Sequence, residues 1–415
     1  MNCRALCLSL VIVLVVGHRF AEAQQFDWPQ WQGPQRNGLT DEKGLLQQWP
    51  EGGPQRKWLF ENCGAGYGGP AVVGEQLFIL GARDGVCKLI SLDVNTGREL
   101  WAISIGPEFQ NDWGDGPRST PTVDEGRVYA LSAAGSLVCL RARDGREIWR
   151  VTMESLGGRV PNWGYTESVL IDGNKLLCTP GGRKGAIAAL DKRTGEVIWQ
   201  SEELEDFAHY SSIVRGEFHG QPQYVQLLEK RLVGLATEDG GLLWEVAWPG
   251  NVAVIPTPIV HDNHVFATSG YGAGCMLVSI SPQNEATKVY ENKLMKNQHG
   301  GVIRVGDFAY GFSDDVGWLC LDFRTGERHW RERDALGKGA IGYADGKFYC
   351  IDQSEGQVVL IDASPEGWTE RGRFTLSPQS EIRAPRGGIW VHPVIVGGKL
   401  LLRDQEFVYC YDVTQ

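Results

Sequence analysis

One pattern constrains this chain more than any other. The run Asp-x-x-Thr-Gly-x-x-x-Trp, preceded two positions earlier by a small residue, returns at a nearly fixed interval. It is complete at Asp93…Thr96-Gly97…Trp101, Asp191…Thr194-Gly195…Trp199 and Asp322…Thr325-Gly326…Trp330. Looser copies end at Asp144-Gly145…Trp149 and Asp239-Gly240…Trp244. Successive tryptophans stand 48, 50 and 45 residues apart, and the next interval, 86, is two periods. A degenerate copy is therefore expected around Ser279-Ile280-Ser281. Two more follow, at Leu360-Ile361-Asp362 and at Cys410-Tyr411-Asp412, the second without a tryptophan.

Periods of this length belong to solenoids or propellers, and the residues between copies decide for the latter. Residues 127–132 and 136–140 are apolar strand-like runs joined by Ala133-Ala134-Gly135, a hairpin with small turn residues. Glycine (54 residues) and tryptophan (15 residues) are both abundant, as short strands with tight turns require. Four strands make a sheet that cannot bury both faces alone, so the sheets must stack around an axis. The predicted fold is an all-β, eight-bladed β-propeller; seven blades is the competing count. The final copy lacks an outer strand, while residues 55–60 hold an unpaired one, with Trp58 placed 43 residues before Trp101. This N-terminal strand is expected to complete the last blade and close the ring. The domain reading is a signal peptide over 1–23, an N-terminal extension over 24–57 and the propeller over 58–415.

The eleven-residue element small-x-Asp-x-x-x-Gly-x-x-x-Trp resembles the tryptophan-docking motif of quinoprotein (pyrroloquinoline-quinone, PQQ) repeats. In that family the Trp of one blade stacks on the glycine peptide of its neighbour. The resemblance implies docking roles for Trp58, Trp101, Trp149, Trp199, Trp244 and Trp330. Two copies depart from the motif, with Glu285 in place of Gly and Glu370 in place of Trp. Residues 27–34, 116–121, 209–212 and 298–301 are similar to exported PQQ-repeat proteins of planctomycete-like bacteria. The repeat is also similar to that of the outer-membrane assembly propellers. A WD-repeat propeller is excluded, because no Trp-Asp dipeptide occurs.

Export is expected from the N-terminus itself. Arg4 precedes a short apolar run from Leu6 to Val16, and Ala21-Glu22-Ala23 fits a small-x-small cleavage site, giving a start at Gln24. The run is too short for a comfortable membrane span, and no other stretch could form one, so a periplasmic or extracellular product is expected. The formal net charge of -11 argues against a nucleic-acid partner.

Eight cysteines follow residue 24. Cys139, Cys320 and Cys410 occupy the motif's small position, and Cys178 and Cys350 share a second register. Equivalent positions in different blades do not approach within disulfide range, so free buried thiols are expected. Motifs for covalent haem, zinc and serine nucleophiles are missing. Asp112, Asp115 and the pair Asp314-Asp315 read as solvated turn carboxylates rather than calcium ligands, and no metal site or catalytic residue is assigned.

Loops that enter each blade's innermost strand converge on one face of a propeller. Here they carry Tyr67; Trp113 and Arg118; Trp163, Tyr165 and Glu167; His209 and Tyr210; His299; Lys338; and Arg386, Trp390 and His392. Aromatics mixed with Arg and His suggest a binding site for a small ligand. The expected function is a non-catalytic binding or scaffold protein of the cell envelope, with an envelope protein or small ligand as partner. The alternatives are a PQQ- and calcium-dependent alcohol or sugar dehydrogenase, to which Arg118, Arg383 and Arg386 would offer carboxylate contacts, and a carbohydrate-binding accessory propeller.

Overall fold

A computed structural model describes residues 26–415; the signal-peptide reading, residues 1–23, lies outside the described residues. Among the described residues thirty-three strands form eight sheets, antiparallel but for one two-residue parallel strand. Blade 1 is Ala71–Val73, Gln76–Arg83, Val86–Asp93 and Glu99–Pro107, running from the axis outward. Blades 2 to 7 repeat this order over residues 122–152, 170–200, 214–247, 259–292, 302–332 and 339–375. Blade 8 takes its three inner strands from the C-terminus and its outer strand, Arg56–Phe60, from near the N-terminus. The chain thus forms an eight-bladed propeller closed by an N-terminal strand.

Local chemistry explains how the motif shapes the outer hairpin of each blade. The Asp93 carboxylate accepts hydrogen bonds from the backbone N–H of Asn95 (3.0 Å) and Thr96 (2.9 Å), turning the chain without help from other blades. Asp191 and Asp322 do the same. Gly97 follows at φ +72°, a conformation that favours glycine. The outer strand then re-enters with a bulge, which sets Trp101 directly across from Ser91. Cys139, Ala189, Gly234, Cys320 and Cys410 face Trp149, Trp199, Trp244, Trp330 and Trp58 in the same way. A small side chain at that position leaves room for the indole.

The absence of a side chain on the glycine admits the neighbouring blade. A Cβ on Gly97 would lie 2.7 Å from the Trp58 ring, and one on Gly145, Gly195 or Gly240 would meet Trp101, Trp149 or Trp199 at 2.9, 2.9 and 2.4 Å. Trp58, Trp101 and Trp149 each donate the indole N–H across the blade boundary, to the carbonyls of Val94, Ala142 and Lys192 at 3.0 Å. Trp330 reaches Ser364 O in blade 7 at 3.0 Å. Trp244 differs. Its neighbour carries Glu285 where glycine would admit it, and its indole donates instead to Gln223 Oε1 of its own blade at 2.7 Å, lying over Gly234.

Two boundaries use aromatics that the motif does not reveal. Tyr290 lies 2.7 Å from the Cβ position of Gly326 and donates to Phe323 O at 3.1 Å. Between blades 7 and 8, Trp49 packs on Gly372, Phe374 and Tyr349, and its backbone N–H donates to Arg371 O at 2.8 Å.

The residues before the closing strand enter the central channel. Trp28 pairs with Val72 of blade 1, and Pro29 O accepts from Val123 N of blade 2 at 2.8 Å. Arg36, buried, donates to Val169 O (3.0 Å) and Ser168 O (2.5 Å) at the entry to blade 3. Trp31 Nε1 reaches Thr257 Oγ1 at 2.9 Å before blade 5, and Gly38 packs on Ile303 of blade 6. Leu39–Thr40 runs parallel to the innermost strand of blade 7, and the Glu42 carboxylate accepts from Gly397 and Gly398 N–H of blade 8 at 2.6 and 2.7 Å. Only a segment lying on the axis can touch the inner edges of seven blades. It fills the channel so closely that the void left beside it, about 10 Å³, holds at most one water.

All eight described cysteines are buried and unpaired. Burial pushes the thiols up, to about 12 at Cys87, Cys139, Cys275, Cys320 and Cys410. A thiol reagent is therefore expected to label almost none of them in the native protein and all eight after denaturation without reductant. Two or fewer reactive thiols in the denatured chain would contradict this packing.

Candidate functional site

Antiparallel strands fix which loops share a face. The connections from each outer strand to the next blade's innermost strand lie on the same face as the turns between second and third strands. On this face the channel opens as a funnel of about 380 Å³, closed below by Trp31 and Gln32 of the inserted segment.

One wall is a run of stacked rings. Tyr67 and Trp390 lie 4.8 Å apart, and Trp390 and His299 lie 4.4 Å apart with planes within 10°. The Trp390 indole donates to Gln353 Oε1 at 3.1 Å, and the Tyr67 hydroxyl donates to Trp113 O at 3.1 Å. Trp163 and Tyr210 meet edge to face elsewhere in the lining, at 5.7 Å. His392 packs edge-on against Trp31 at 4.6 Å and donates Nε2–H to His299 O at 2.7 Å, which ties the funnel wall to its floor.

The funnel's charge is positive. Arg118 donates from Nε to Trp163 O (2.6 Å) and from Nη2 to Gly114 O (2.7 Å), and its guanidinium carbon sits 5.0 Å from the Tyr67 ring centre. Lys338 is held by Asp314 (2.7 Å) and Gln298 Oε1 (2.6 Å), whereas Arg386 is exposed and lies over the Trp113 ring at the rim. Among the described residues no carboxylate lines the cavity. Burial, with Lys338 and Arg118 nearby, lowers His299 to about 3, and burial lowers His392 to about 4. Both rings are neutral at pH 7, so the arginines and lysine alone set the charge.

Of the residues singled out from sequence, Tyr67, Trp113, Arg118, Trp163, Tyr210, His299, Lys338, Arg386, Trp390 and His392 meet in this cavity. Three do not. Tyr165 is buried in the core between blades 2 and 3, donating to Pro180 O at 3.0 Å. Glu167 turns the other way along the same loop and accepts from Thr179 N (2.6 Å) and Thr179 Oγ1 (2.9 Å); burial raises it to about 7. His209 turns aside to accept from Val254 N at 3.3 Å. Arg383 also lies off the funnel, against Asp404, Ser354 O and Gln379. Trp31, Gln32, Tyr271, Gln298 and Gln353 are among the further lining residues that were not foreseen as site residues; they come from the inserted segment, from turns within blades and, for Gln298, from the connection that also carries His299.

The cavity does not fit a calcium-bound quinone. Such a group needs carboxylates for the cation and as a base, and the lining supplies cations, amides and hydroxyls instead. Asp314 is engaged by Lys338, Asp315 by Lys296 and Asp115 by the Asn111 N–H. Among the described residues no cluster of three or more His, Cys, Asp or Glu side chains could hold a metal ion.

Residues 87–332 match the sequence family described as outer membrane protein assembly factor BamB. A protein of that description from Kangiella koreensis is 29% identical over 213 residues, covering 49% of this chain and 48% of its own length. The chain thus spans about half the length of that relative. One from Escherichia coli K12 is 23% identical over 334 residues, 75% of this chain and 77% of that protein. Among solved structures, BamB from Moraxella catarrhalis superposes with a TM-score of 0.62 at 15% identity, covering 86% of this chain and 99% of that one. Quinohemoprotein alcohol dehydrogenase from Comamonas testosteroni gives 0.61 at 11% identity, covering 93% and 80%. At these identities the structural likeness speaks to fold alone.

The neutral histidines give a direct check on how dry the funnel wall is. NMR titration, assigned with His299→Gln and His392→Gln, is expected to show both rings protonating only below pH 5. Titration near the ordinary value of about 6.5 would mean that water reaches the rings freely.

Proposed function

The chain belongs to the family described as outer membrane protein assembly factor BamB, and from that premise we propose that it is an exported, non-catalytic propeller of the cell envelope. In this reading it binds a protein partner through the face on which the funnel opens.

The observation that supports this reading is the placement of exposed apolar side chains. Eleven large hydrophobics are exposed among the described residues. Trp113, Val160, Phe207, Val252 and Ile382 sit on the connections between blades, and Tyr271 on a turn of the same face. The other five lie along outer strands, and none lies on the opposite face. Phe207 is 59% exposed, and the Arg159 guanidinium carbon lies 5.1 Å from its ring centre. Exposed aromatic and aliphatic side chains gathered on one surface, with arginines among them, have the composition of a protein interface. The dehydrogenase reading is the weaker one, because the funnel's lining disagrees with the calcium and base chemistry it requires.

The test places a photo-crosslinking residue at Phe207 or Ile382, and at Ile148 on an outer strand as control, in protein mixed with envelope from the producing cell. Discrete adducts containing an outer-membrane assembly component are expected from the first two positions and not from the control. Equal labelling at Ile148, or no adduct from the funnel face, would contradict the reading.

A further inference from the structure

We propose that the funnel is itself a binding site for a carboxylate-bearing ring compound of one or two rings, with Arg118 as its anchor. This inference rests on the cavity alone and stands independently of the protein-docking reading.

The anchor is built rather than incidental. Two of the three Arg118 nitrogens are fixed by the carbonyls of Trp163 and Gly114, and the guanidinium carbon lies 5.0 Å from the Tyr67 ring centre and 5.6 Å from that of Phe109. The third, Nη1, has no partner among the described residues and almost no exposed surface, so the guanidinium presents its charge to the cavity rather than an open third donor. A buried cation with one nitrogen left unpaired is favoured by an anion brought close to it. The Asp115 carboxylate acts on Arg118 through its charge, but one of its oxygens is engaged by the Asn111 N–H and it does not line the cavity. A forked guanidinium held in one plane suits a carboxylate.

The remaining walls define the body of the ligand. Aromatic rings and the flat amides of Gln32, Gln298 and Gln353 favour a ring over a flexible chain. A volume of about 380 Å³ lies near the lower end of the usual range for small-molecule sites. The Trp31 floor makes the cavity blind, so a ligand enters and leaves by the mouth, past Arg386 and Trp113. Lys338 contributes less charge, being already paired with Asp314. A sugar acid and an aromatic acid share the required chemistry. The hydroxyls of Thr166, Ser168 and Ser212 would serve the first and the stacked rings the second.

Calorimetric titration of the full mature protein separates these sources, using D-glucuronate with glucose as its neutral counterpart and benzoate with benzyl alcohol. Saturable one-to-one binding is expected for at least one acid, with its neutral counterpart weaker by about tenfold or more. The acid that binds identifies the source. Arg118→Gln, with circular dichroism unchanged, is expected to weaken binding by about tenfold or more. Arg386 makes no hydrogen bond within the described chain, so Arg386→Gln keeps the test open should the first variant misfold; it should weaken binding by a smaller factor, and added salt should do likewise. No saturable binding of either acid, equal binding of the neutral compounds, or undiminished binding by folded Arg118→Gln would overturn the proposal. So would salt-independent binding that Arg386→Gln leaves unchanged.

Discussion

Everything else in this molecule depends on one contact, an aromatic ring from one blade laid on a glycine of the next. Each blade alone would expose both faces of a four-stranded sheet. The side chains between blades, such as Leu77, Ile79, Leu401 and Val408 between blades 8 and 1, are buried only when neighbours are held at a fixed spacing. Trp58, Trp149 and Trp199 set that spacing at three boundaries, each 8% exposed. Each indole combines a large apolar area with one directional hydrogen bond, or in Trp199 the area alone, so the boundary is both tight and registered. At two boundaries where the pattern fails, another aromatic packs in its place. Tyr290 and Trp49 show that the requirement is for a ring at the boundary and not for a particular motif.

The ring creates a channel, and the N-terminal segment makes the channel's two ends unequal. Arg36 and Glu42 carry buried charge into the axis, where backbone groups at the ends of inner strands bond Arg36 Nη1 and Nη2 and both Glu42 carboxylate oxygens. With the lower end closed, the upper end becomes a blind funnel, and side chains from eight blades converge on it. The same geometry gathers exposed apolar residues around the mouth. Fold and candidate site therefore share one origin: a closed ring with one open face.

The ring was legible in the sequence because its determinants are local and periodic. Asp93, Gly97 and Trp101 fall within nine residues, and their repetition gives blade count, strand order and the closing role of Trp58. The aromatic at the boundary of blades 5 and 6 was not legible, since the outer-strand bulge moves it from Val289 to Tyr290. The funnel was legible only in part. A loop's position in the repeat says which face it occupies but not which way each side chain turns, so Trp163 enters the cavity while Tyr165 and Glu167, two and four residues on, go to the core. Trp31 and Gln32 lay beyond reach for another reason. The segment that carries them is held by short backbone pairings and by single side-chain bonds from Trp31, Arg36 and Glu42, and neither leaves a periodic trace.

The most direct test of ring closure is the thermal unfolding midpoint of Trp58→Ala beside that of Trp149→Ala. One indole lies at the joint between the chain's ends and the other inside the continuous chain, and both are equally buried. If the N-terminal strand truly closes the ring, the two substitutions cost similar amounts, about 3–5 kcal/mol each as for other buried aromatics cut to alanine, and lower the midpoint alike. A Trp58→Ala protein that unfolds with the wild type while Trp149→Ala falls would contradict closure through that strand.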